Sequence, residues 1–239
     1  MTPWTILLWK WRGWNAVYTA EHVNRMVRML ERVMTVPYRP VCITDDPTGV
    51  YCETFPLWEP PPVRIPAAWP VTPAGRVVPN CFTRLRVFDP GVGAWLGERL
   101  LSVDLDAVIL DDLAPLLTDD TFRAARGMHS ALCGTLWQLR TGAHPEVWCD
   151  FDPVQSPKQI AETEYNGRTI SGSDQAWLSI KLPYAPTWGE GDGVYWFKSL
   201  KPKLIPKNAR YVYFAGNIKP WDRTCQMINP RLYDLYMQS

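Results

Sequence analysis

Residues 20–34 read AEHVNRMVRMLERVM, and this stretch decides the fold class. Its apolar side chains recur every three or four positions while Arg and Glu occupy the opposite face, which is typical of an amphipathic helix. An apolar run rich in strand-favouring residues, Thr5–Trp9, precedes it, and a second run, Arg39–Thr44, follows and ends in the turn-forming residues Asp45–Gly49. A strand, a helix and a strand in this order predict a parallel β-α-β unit, and so an α/β protein.

Length and charge favour one globular domain. The chain has 239 residues, of which 46% are hydrophobic, and single domains extend to roughly 250 residues. It carries 25 basic and 24 acidic residues, a balance that argues against a self-repelling disordered polymer. We therefore expect a single domain over residues 1–239, stable without disulfides or a structural metal.

Composition also excludes several classes of protein. No apolar run reaches the roughly 18 to 20 residues that span a bilayer, and the short apolar N-terminal run lacks the basic region and cleavage site of a signal peptide. The six cysteines and three histidines show no zinc-ligand spacing, and no histidine stands in a motif with an acid or a nucleophile. These features predict a cytoplasmic protein with reduced cysteines, no membrane span and no histidine-based catalysis.

A third apolar run, Leu100–Leu110, predicts one buried strand that contains Asp104 and Asp106. Carboxylates in such a strand must be paired or bound to a ligand. At the carboxyl end of a parallel strand they would lie where open α/β sheets bind ligands. Oxygen ligands there suit Mg²⁺ or Mn²⁺ beside a diphosphate, although two solvated carboxylates at a strand end would give the same D-x-D pattern.

A further motif follows the strand-like stretch Tyr211–Phe214. Gly216 lets the backbone approach a phosphate, Lys219 supplies positive charge, and Pro220-Trp221 completes the motif. Together with the D-x-D pair, this segment resembles the glycogenin-like glycosyltransferases of glycosyltransferase family 8, whose C-terminal signature is H-x-x-G-x-x-K-P-W after a strand. The four residues of the motif match in order and spacing.

Other segments resemble the same family over about residues 4 to 222. The pair Asp174-Gln175 is similar to the family's D-Q pair at the start of a helix beside the donor sugar, and Arg84 stands where the family carries a base near the donor. The segment Cys42–Asp46 resembles its nucleotide-binding half. Taken alone, Asp174 would be an ordinary helix N-terminal acid and Arg84 a solvated charge.

The resemblance implies a GT-A-like fold, a Rossmann-type mixed sheet flanked by helices, in a short stand-alone protein of the bacterial or phage type. Residues 1–110 would form the nucleotide-binding half, ending near the D-x-D pair, and residues 111–239 the acceptor half. It also implies a transferase that moves a sugar, with retention of configuration, from a nucleotide-sugar donor to an acceptor hydroxyl. A UDP-sugar is the expected donor.

The resemblance also assigns the site residues. Asp104 and Asp106 would hold Mn²⁺ or Mg²⁺, and Asp174 with Gln175 would lie against the sugar as catalytic residues. The donor contacts expected from the sequence are Arg84, Asp104, Gly216, Lys219, Trp9 and Tyr18.

Two positions depart from the family pattern. Tyr213 stands where the family has a third metal ligand, a histidine, and neutral tyrosine is a poor ligand for a hard cation. Either the two aspartates and the diphosphate hold the metal, or metal dependence is weaker. The family's N-x-G stretch is replaced by Ala131–Gly134, so contacts with the donor sugar and the acceptor are expected to differ there.

Positive charge is concentrated near the C-terminus. Residues 194–239 carry eight basic and two acidic residues. Such a region is compatible with a counter-charge for the diphosphate, with contacts to a polyanionic acceptor, or with a solvated face. A hydroxymethylated DNA base, flipped out of the duplex, is one candidate acceptor, and a soluble glycan or a small molecule is the other. The DNA alternative assigns acceptor contacts to Lys201, Lys203 and Lys207.

Two functions of other classes stay open. The missing histidine and asparagine fit a nucleotide-sugar-binding protein without catalysis. A D-x-D pair also serves sugar nucleotidyltransferases, but the Gly-rich N-terminal phosphate loop expected of those enzymes is not apparent.

Overall fold

The computed structural model describes residues 2–12, 18–58, 80–170 and 174–239. The β-α-β unit expected from the sequence is present. Strands β1 (Trp4–Lys10) and β2 (Tyr38–Thr44) are parallel neighbours, and helix α1 (Ala20–Val33) connects them. The apolar stripe of α1 is buried, as its spacing predicts.

The remaining elements follow in chain order. The other strands are β3 (Glu53–Pro56), β4 (Arg99–Val103), β5 (Ala107–Ile109), β6 (Phe122–Arg126), β7 (Leu132–Arg140), β8 (Glu164–Tyr165), β9 (Arg168–Thr169), β10 (Thr187–Trp188), β11 (Val194–Trp196) and β12 (Tyr211–Tyr213). The other helices are α2 (Gly93–Leu96), α3 (Glu146–Cys149), α4 (Gln155–Glu162), α5 (Asp174–Lys181), α6 (Arg223–Ile228) and α7 (Pro230–Met237). Short 3₁₀ helices span Cys81–Phe88, Ala114–Leu116, Glu190–Asp192 and Phe197–Ser199.

The main sheet is mixed, and within the described ranges its seven strands have the order β10-β6-β7-β4-β1-β2-β3. Strands β3, β2, β1 and β4 are parallel, whereas β7 is antiparallel to both β4 and β6. Every residue of the central strand β1 is buried. Ile6 and Leu8 face the core that contains α1, and Leu7 and Trp9 face the core that contains the 3₁₀ helix Cys81–Phe88 and helix α5. This is the α/β architecture expected from the sequence.

The prediction of one strand over Leu100–Leu110 is wrong, because the chain leaves the main sheet at the D-x-D pair. Strand β4 ends at Val103, and β5 pairs antiparallel with β12 in a second, three-stranded sheet with the order β11-β12-β5. The Asp104 amide donates to the Thr135 carbonyl of β7, and the Asp106 carbonyl accepts from the Phe214 amide after β12. Both carboxylates therefore lie at the carboxyl edge of β4, where the two sheets meet, rather than inside a strand.

Other expectations are met with small shifts. The short helix expected around Phe82–Phe88 is a 3₁₀ helix that begins at Cys81, and the side chain of Asn80 caps it. The helix expected near Ser173 begins at Asp174. Of the proline-dense excursion predicted over residues 56–79, Pro56 ends the edge strand β3, and residues 59–79 lie outside the described part of the chain.

In the described ranges, no helix combines the length and the apolar character needed to span a bilayer.

Trp9 is part of the core. Only 5% of its surface is exposed, and its indole N–H donates to Ser102 Oγ on the neighbouring strand at 2.8 Å. Its ring also meets Trp11 edge to face, with the ring centroids 6.4 Å apart. These contacts explain why the side chain of Trp9 is buried. We therefore expect Trp9 to stabilise the core rather than to contact the donor.

We predict that Trp9→Ala lowers the free energy of unfolding by about 3–5 kcal/mol, the usual loss for a large buried side chain. Binding of UDP to the folded protein should be unchanged. Urea denaturation and calorimetry measure the two quantities, with Tyr51→Ala as the control because Tyr51 is 78% exposed. Normal stability with weakened UDP binding would return Trp9 to the donor site.

Candidate functional site

Charged side chains from four separate segments converge beyond the carboxyl end of β4. The D-x-D turn contributes Asp104 and Asp106, the 3₁₀ helix contributes Arg84, the first turn of α5 contributes Asp174, and the turn after β12 contributes Lys219. These are five of the residues singled out from the sequence, and the fold brings them into contact. Ligands bind at this edge in open α/β sheets.

Arg84 lies at the centre of this group. Its guanidinium Nη1 is 2.6 Å from Asp104 Oδ1 and 3.1 Å from the Gly134 carbonyl oxygen, and its Nε is 2.7 Å from Asp174 Oδ2. Arg84 is only 6% exposed, and the planar fork of a guanidinium is suited to binding two carboxylates at once. One buried cation therefore fixes the positions of two acids that come from different parts of the chain.

Asp106 has its own partners. The Lys219 ammonium lies 2.5 Å from Asp106 Oδ2, and Tyr18 lies close enough to this carboxylate to be affected by its charge. Burial raises the pKa of Tyr18, as do the nearby charges of Asp106 and Asp104, so its hydroxyl stays neutral. The Lys219 amide donates to Asp222 Oδ2 at 2.6 Å, which holds the turn that carries the lysine.

The group carries one excess negative charge, because three carboxylates face two cations. Burial raises the pKa of Asp104, the ion pair with Arg84 opposes that rise, and the neighbouring Asp106 and Asp174 carboxylates add to it. Crowded carboxylates of this kind favour the arrival of a further cation.

The residues fit a divalent metal through oxygen ligands alone. Among the described residues no three His, Cys, Asp or Glu side chains are grouped as a metal site. Tyr213, at the expected histidine position, has a pKa raised by burial and stays neutral. Two carboxylates with substrate phosphate oxygens and water are nevertheless a common donor set for Mg²⁺. The structure therefore fits a metal held by Asp104 and Asp106 and completed by a bound diphosphate.

Gly134 was not identified as a functional residue from the sequence, although its segment was noted as a departure. A Cβ at this position would lie 2.9 Å from Arg84 Nη2 and 3.2 Å from Asp174 Oδ2, distances that require either side chain to shift. The Gly134 amide donates to Gln175 Oε1 at 3.3 Å. This glycine thus gives the buried ion pair its space and fixes the amide group of Gln175.

Gly216 occupies the turn between β12 and α6. Its φ of +94° is in the region that favours glycine, and a Cβ there would be 3.7 Å from Lys198 Nζ. The ammonium of Lys198 also lies over the ring of Trp196, 5.6 Å from its centroid. Sequence analysis identified Gly216 but neither of these neighbours, because nothing local to residues 196–198 shows that the fold places them beside the motif.

A cavity of about 270 Å³ opens beside these residues. Its wall includes Gln175, Trp196, Lys198, Tyr213 and Gly216. A second cavity of about 550 Å³ shares Trp196 and Tyr213 with the first and extends toward the 3₁₀ helix Glu190–Asp192. The two form one groove that begins next to the charged group, and we call it the side groove.

The structure places the predicted site residues in three different locations. Arg84, Asp104, Asp106, Asp174, Lys219 and Tyr18 form one connected group, and Gln175 and Gly216 line the side groove. Lys201, Lys203 and Lys207 are exposed and line neither cavity of the groove. The Lys203 amide instead donates to the Ile228 carbonyl of α6, so this loop packs on the C-terminal helices.

Comparison with models of protein families gave no match, and neither did comparison with curated protein sequences. Solved structures do share the fold. The galactosyltransferase LgtC, in complex with donor and acceptor sugar analogs, matches over 98% of this chain and 95% of its own, with a TM-score of 0.56 and 13% identity.

Two further glycosyltransferases match in the same way. GlyE of Streptococcus pneumoniae TIGR4 has a TM-score of 0.59 and 11% identity, and the match covers 98% of this chain and 60% of GlyE. The bifunctional glycosyltransferase WbbM has a TM-score of 0.58 and 13% identity, over 99% of this chain and 49% of WbbM. At these identities the likeness shows the fold, and it confirms the expected GT-A architecture.

We predict that Arg84→Met lowers the free energy of unfolding by about 3–5 kcal/mol, because removing one partner leaves buried charge uncompensated. Arg84→Lys should lose less, since a single ammonium still reaches one carboxylate. Urea denaturation measures both. The double variant Arg84→Met/Asp174→Leu should recover most of the loss, and wild-type stability in Arg84→Met would show that the buried network does not support the fold.

Proposed function

We propose that this protein is a retaining glycosyltransferase that moves a sugar from a nucleotide-sugar donor, preferably a UDP-sugar, to an acceptor hydroxyl. The observation that carries the proposal is the contact network of Arg84, Asp104, Asp106, Asp174 and Lys219 at the carboxyl edge of a GT-A fold. This reaction needs carboxylates that bind a metal, a lysine that faces a phosphate and a carboxylate that faces the sugar. The motif resemblance supports retention of configuration.

The diphosphate binds between the D-x-D turn and the turn after β12. A bound Mg²⁺ or Mn²⁺, held by Asp104 and Asp106, supplies charge neutralisation for the leaving diphosphate. Lys219 adds positive charge from the opposite side, and the Gly216 backbone lets the chain approach the phosphates closely. Charge that develops on the leaving group is thus met by groups already in place, which is the main source of catalysis in sites of this kind.

Asp174 and Gln175 act on the donor sugar. The Asp174 side chain is 3% exposed and its carboxylate is held by Arg84, so it is positioned without freedom to turn away. From there it orients a sugar hydroxyl or stabilises positive charge on the sugar ring. Gln175, fixed by the Gly134 amide, lines the side groove. The sequence assigned Arg84 to donor binding. Its guanidinium is engaged by Asp104 and Asp174, so Arg84 is a positioning residue for these two carboxylates.

The side groove is the site proposed for the acceptor. It begins at Gln175, next to the place of the donor sugar, and its Trp196 offers a flat aromatic face suited to a sugar ring. Farther along, Glu190 and Asp192 balance Arg126 and Lys198. The groove therefore offers no excess positive charge to a phosphate backbone, so a soluble glycan or small-molecule hydroxyl is favoured over a hydroxymethylated DNA base.

We predict that Asp174→Asn lowers kcat at least about 100-fold while changing donor affinity little, as expected of a group that acts at the transition state. Release of sugar from a panel of UDP-sugars gives the turnover, and calorimetry gives the affinity. The control is Asp150→Asn, which removes an exposed carboxylate paired with Lys181 and should leave both unchanged.

The same assay separates the rival functions. Binding of UDP-sugars without hydrolysis or transfer in the wild type would indicate a binding protein. Release of pyrophosphate from a nucleoside triphosphate would indicate a nucleotidyltransferase.

The acceptor assignment predicts opposite results for two sets of residues. Trp196→Ala should raise the acceptor KM at least about fivefold, since stacking on one aromatic side chain is worth ~1–3 kcal/mol. Changing Lys201, Lys203 and Lys207 together to Glu should leave transfer unchanged. DNA binding that falls steeply with salt and is lost in the triple variant would favour the DNA alternative instead.

A further inference from the structure

Lys219 already binds the Asp106 carboxylate, which would also hold the metal. The lysine ammonium lies on Asp106 Oδ2, and the Asp106 side chain is only 10% exposed. The buried Tyr18 lies close to the same carboxylate. An ammonium and a divalent cation repel each other strongly at such short range, so a metal that binds Asp106 must displace Lys219.

Lys219 is the cation of the site that is able to move. Arg84 is 6% exposed and is held by Asp104, Asp174 and the Gly134 carbonyl. The Lys219 side chain is 22% exposed, and its ammonium bonds to Asp106. A lysine also carries its charge on a flexible four-carbon chain. Its backbone stays fixed through the bond from its amide to Asp222, so the ammonium can change partner while the turn stays in place.

We infer that Lys219 couples metal binding to nucleotide binding by moving from Asp106 to the diphosphate. The inference rests on the proposed function and deepens it. In the free protein Lys219 occupies Asp106 and keeps metal affinity low. A nucleotide alone would draw Lys219 away and leave the Asp106 carboxylate facing the phosphates. When both bind, Asp106 faces the metal and Lys219 faces the diphosphate, so each of these anionic groups has a cation beside it.

Tyr213 strengthens this coupling. The tyrosine stands in place of a third protein ligand and stays neutral because burial raises its pKa. With two carboxylates as protein ligands, the metal depends on phosphate oxygens to complete its coordination. Coupling between two ligands is reciprocal, so the metal should raise nucleotide affinity by the same factor by which the nucleotide raises metal affinity.

The experiment measures Mn²⁺ binding by the loss of the free-ion paramagnetic resonance signal, without any turnover. In the wild type, UDP should tighten Mn²⁺ binding at least about tenfold, within the usual range of coupling between two sites. UMP, which has no second phosphate, should tighten it much less. In Lys219→Met, Mn²⁺ alone should bind at least about tenfold tighter than to the wild type, because Asp106 is released. UDP should tighten Mn²⁺ binding less in this variant than in the wild type, because its phosphate ligands still contribute but Lys219 no longer has to be displaced.

Two further variants make the result specific. Lys219→Gln should behave as Lys219→Met does, and Lys207→Met, which removes an exposed charge from the same basic region, should behave as the wild type does. Thermal melting confirms that each variant is folded. Equal Mn²⁺ affinity in the wild type and Lys219→Met, or an undiminished effect of UDP in that variant, would overturn the inference.

Failure of the proposed function has a different signature. It would appear as absence of UDP binding to the wild type with or without Mn²⁺. The arm with Mn²⁺ alone then still decides whether Lys219 blocks Asp106, since it needs no nucleotide.

Discussion

The guanidinium of Arg84 between Asp104 and Asp174 is the interaction on which the site depends. A buried carboxylate without a partner is strongly destabilising, and here the buried Asp174 and the partly buried Asp104 come from segments 70 residues apart in sequence. A single buried cation lies against both and sets the separation between the proposed place of the metal and the proposed place of the sugar. The absence of a side chain at Gly134 is part of the same constraint, because a Cβ would enter the ion pair.

The fold produces this arrangement by ending one sheet where another begins. Strand β4 delivers the D-x-D turn to the carboxyl edge of the main sheet, and β5 continues into the smaller sheet beside β12. Because β12 pairs with β5, the turn that carries Gly216 and Lys219 lies next to the D-x-D turn. The charged group and the side groove therefore lie at the junction of two sheets, and the five charged residues come from four separate segments.

Much of this was predictable from local sequence, and the rest was not. The period of α1 and the flanking apolar runs predicted the β-α-β unit, which is present. The spacing of Gly216 and Lys219 predicted a diphosphate motif, and the structure brings Lys219 of that motif onto Asp106. The break after Val103 was missed because Leu100–Leu110 is apolar throughout except at the two aspartates. Trp196 and Lys198 were missed because only tertiary packing places them beside Gly216. The donor assignment of Trp9 stays a prediction, because an aromatic residue at a strand end fits a core as well as a ligand, and the contacts of Trp9 in this structure are with the core.

Anomalous diffraction from crystals soaked with UDP and Mn²⁺ tests the proposed site most directly. We expect a manganese peak within bonding distance of the Asp104 and Asp106 carboxylates, with the diphosphate between this ion and the Lys219 ammonium and with Arg84 still on Asp174. A nucleotide bound elsewhere, or one bound at this edge with Lys219 still on Asp106 and no metal peak, would contradict this expectation.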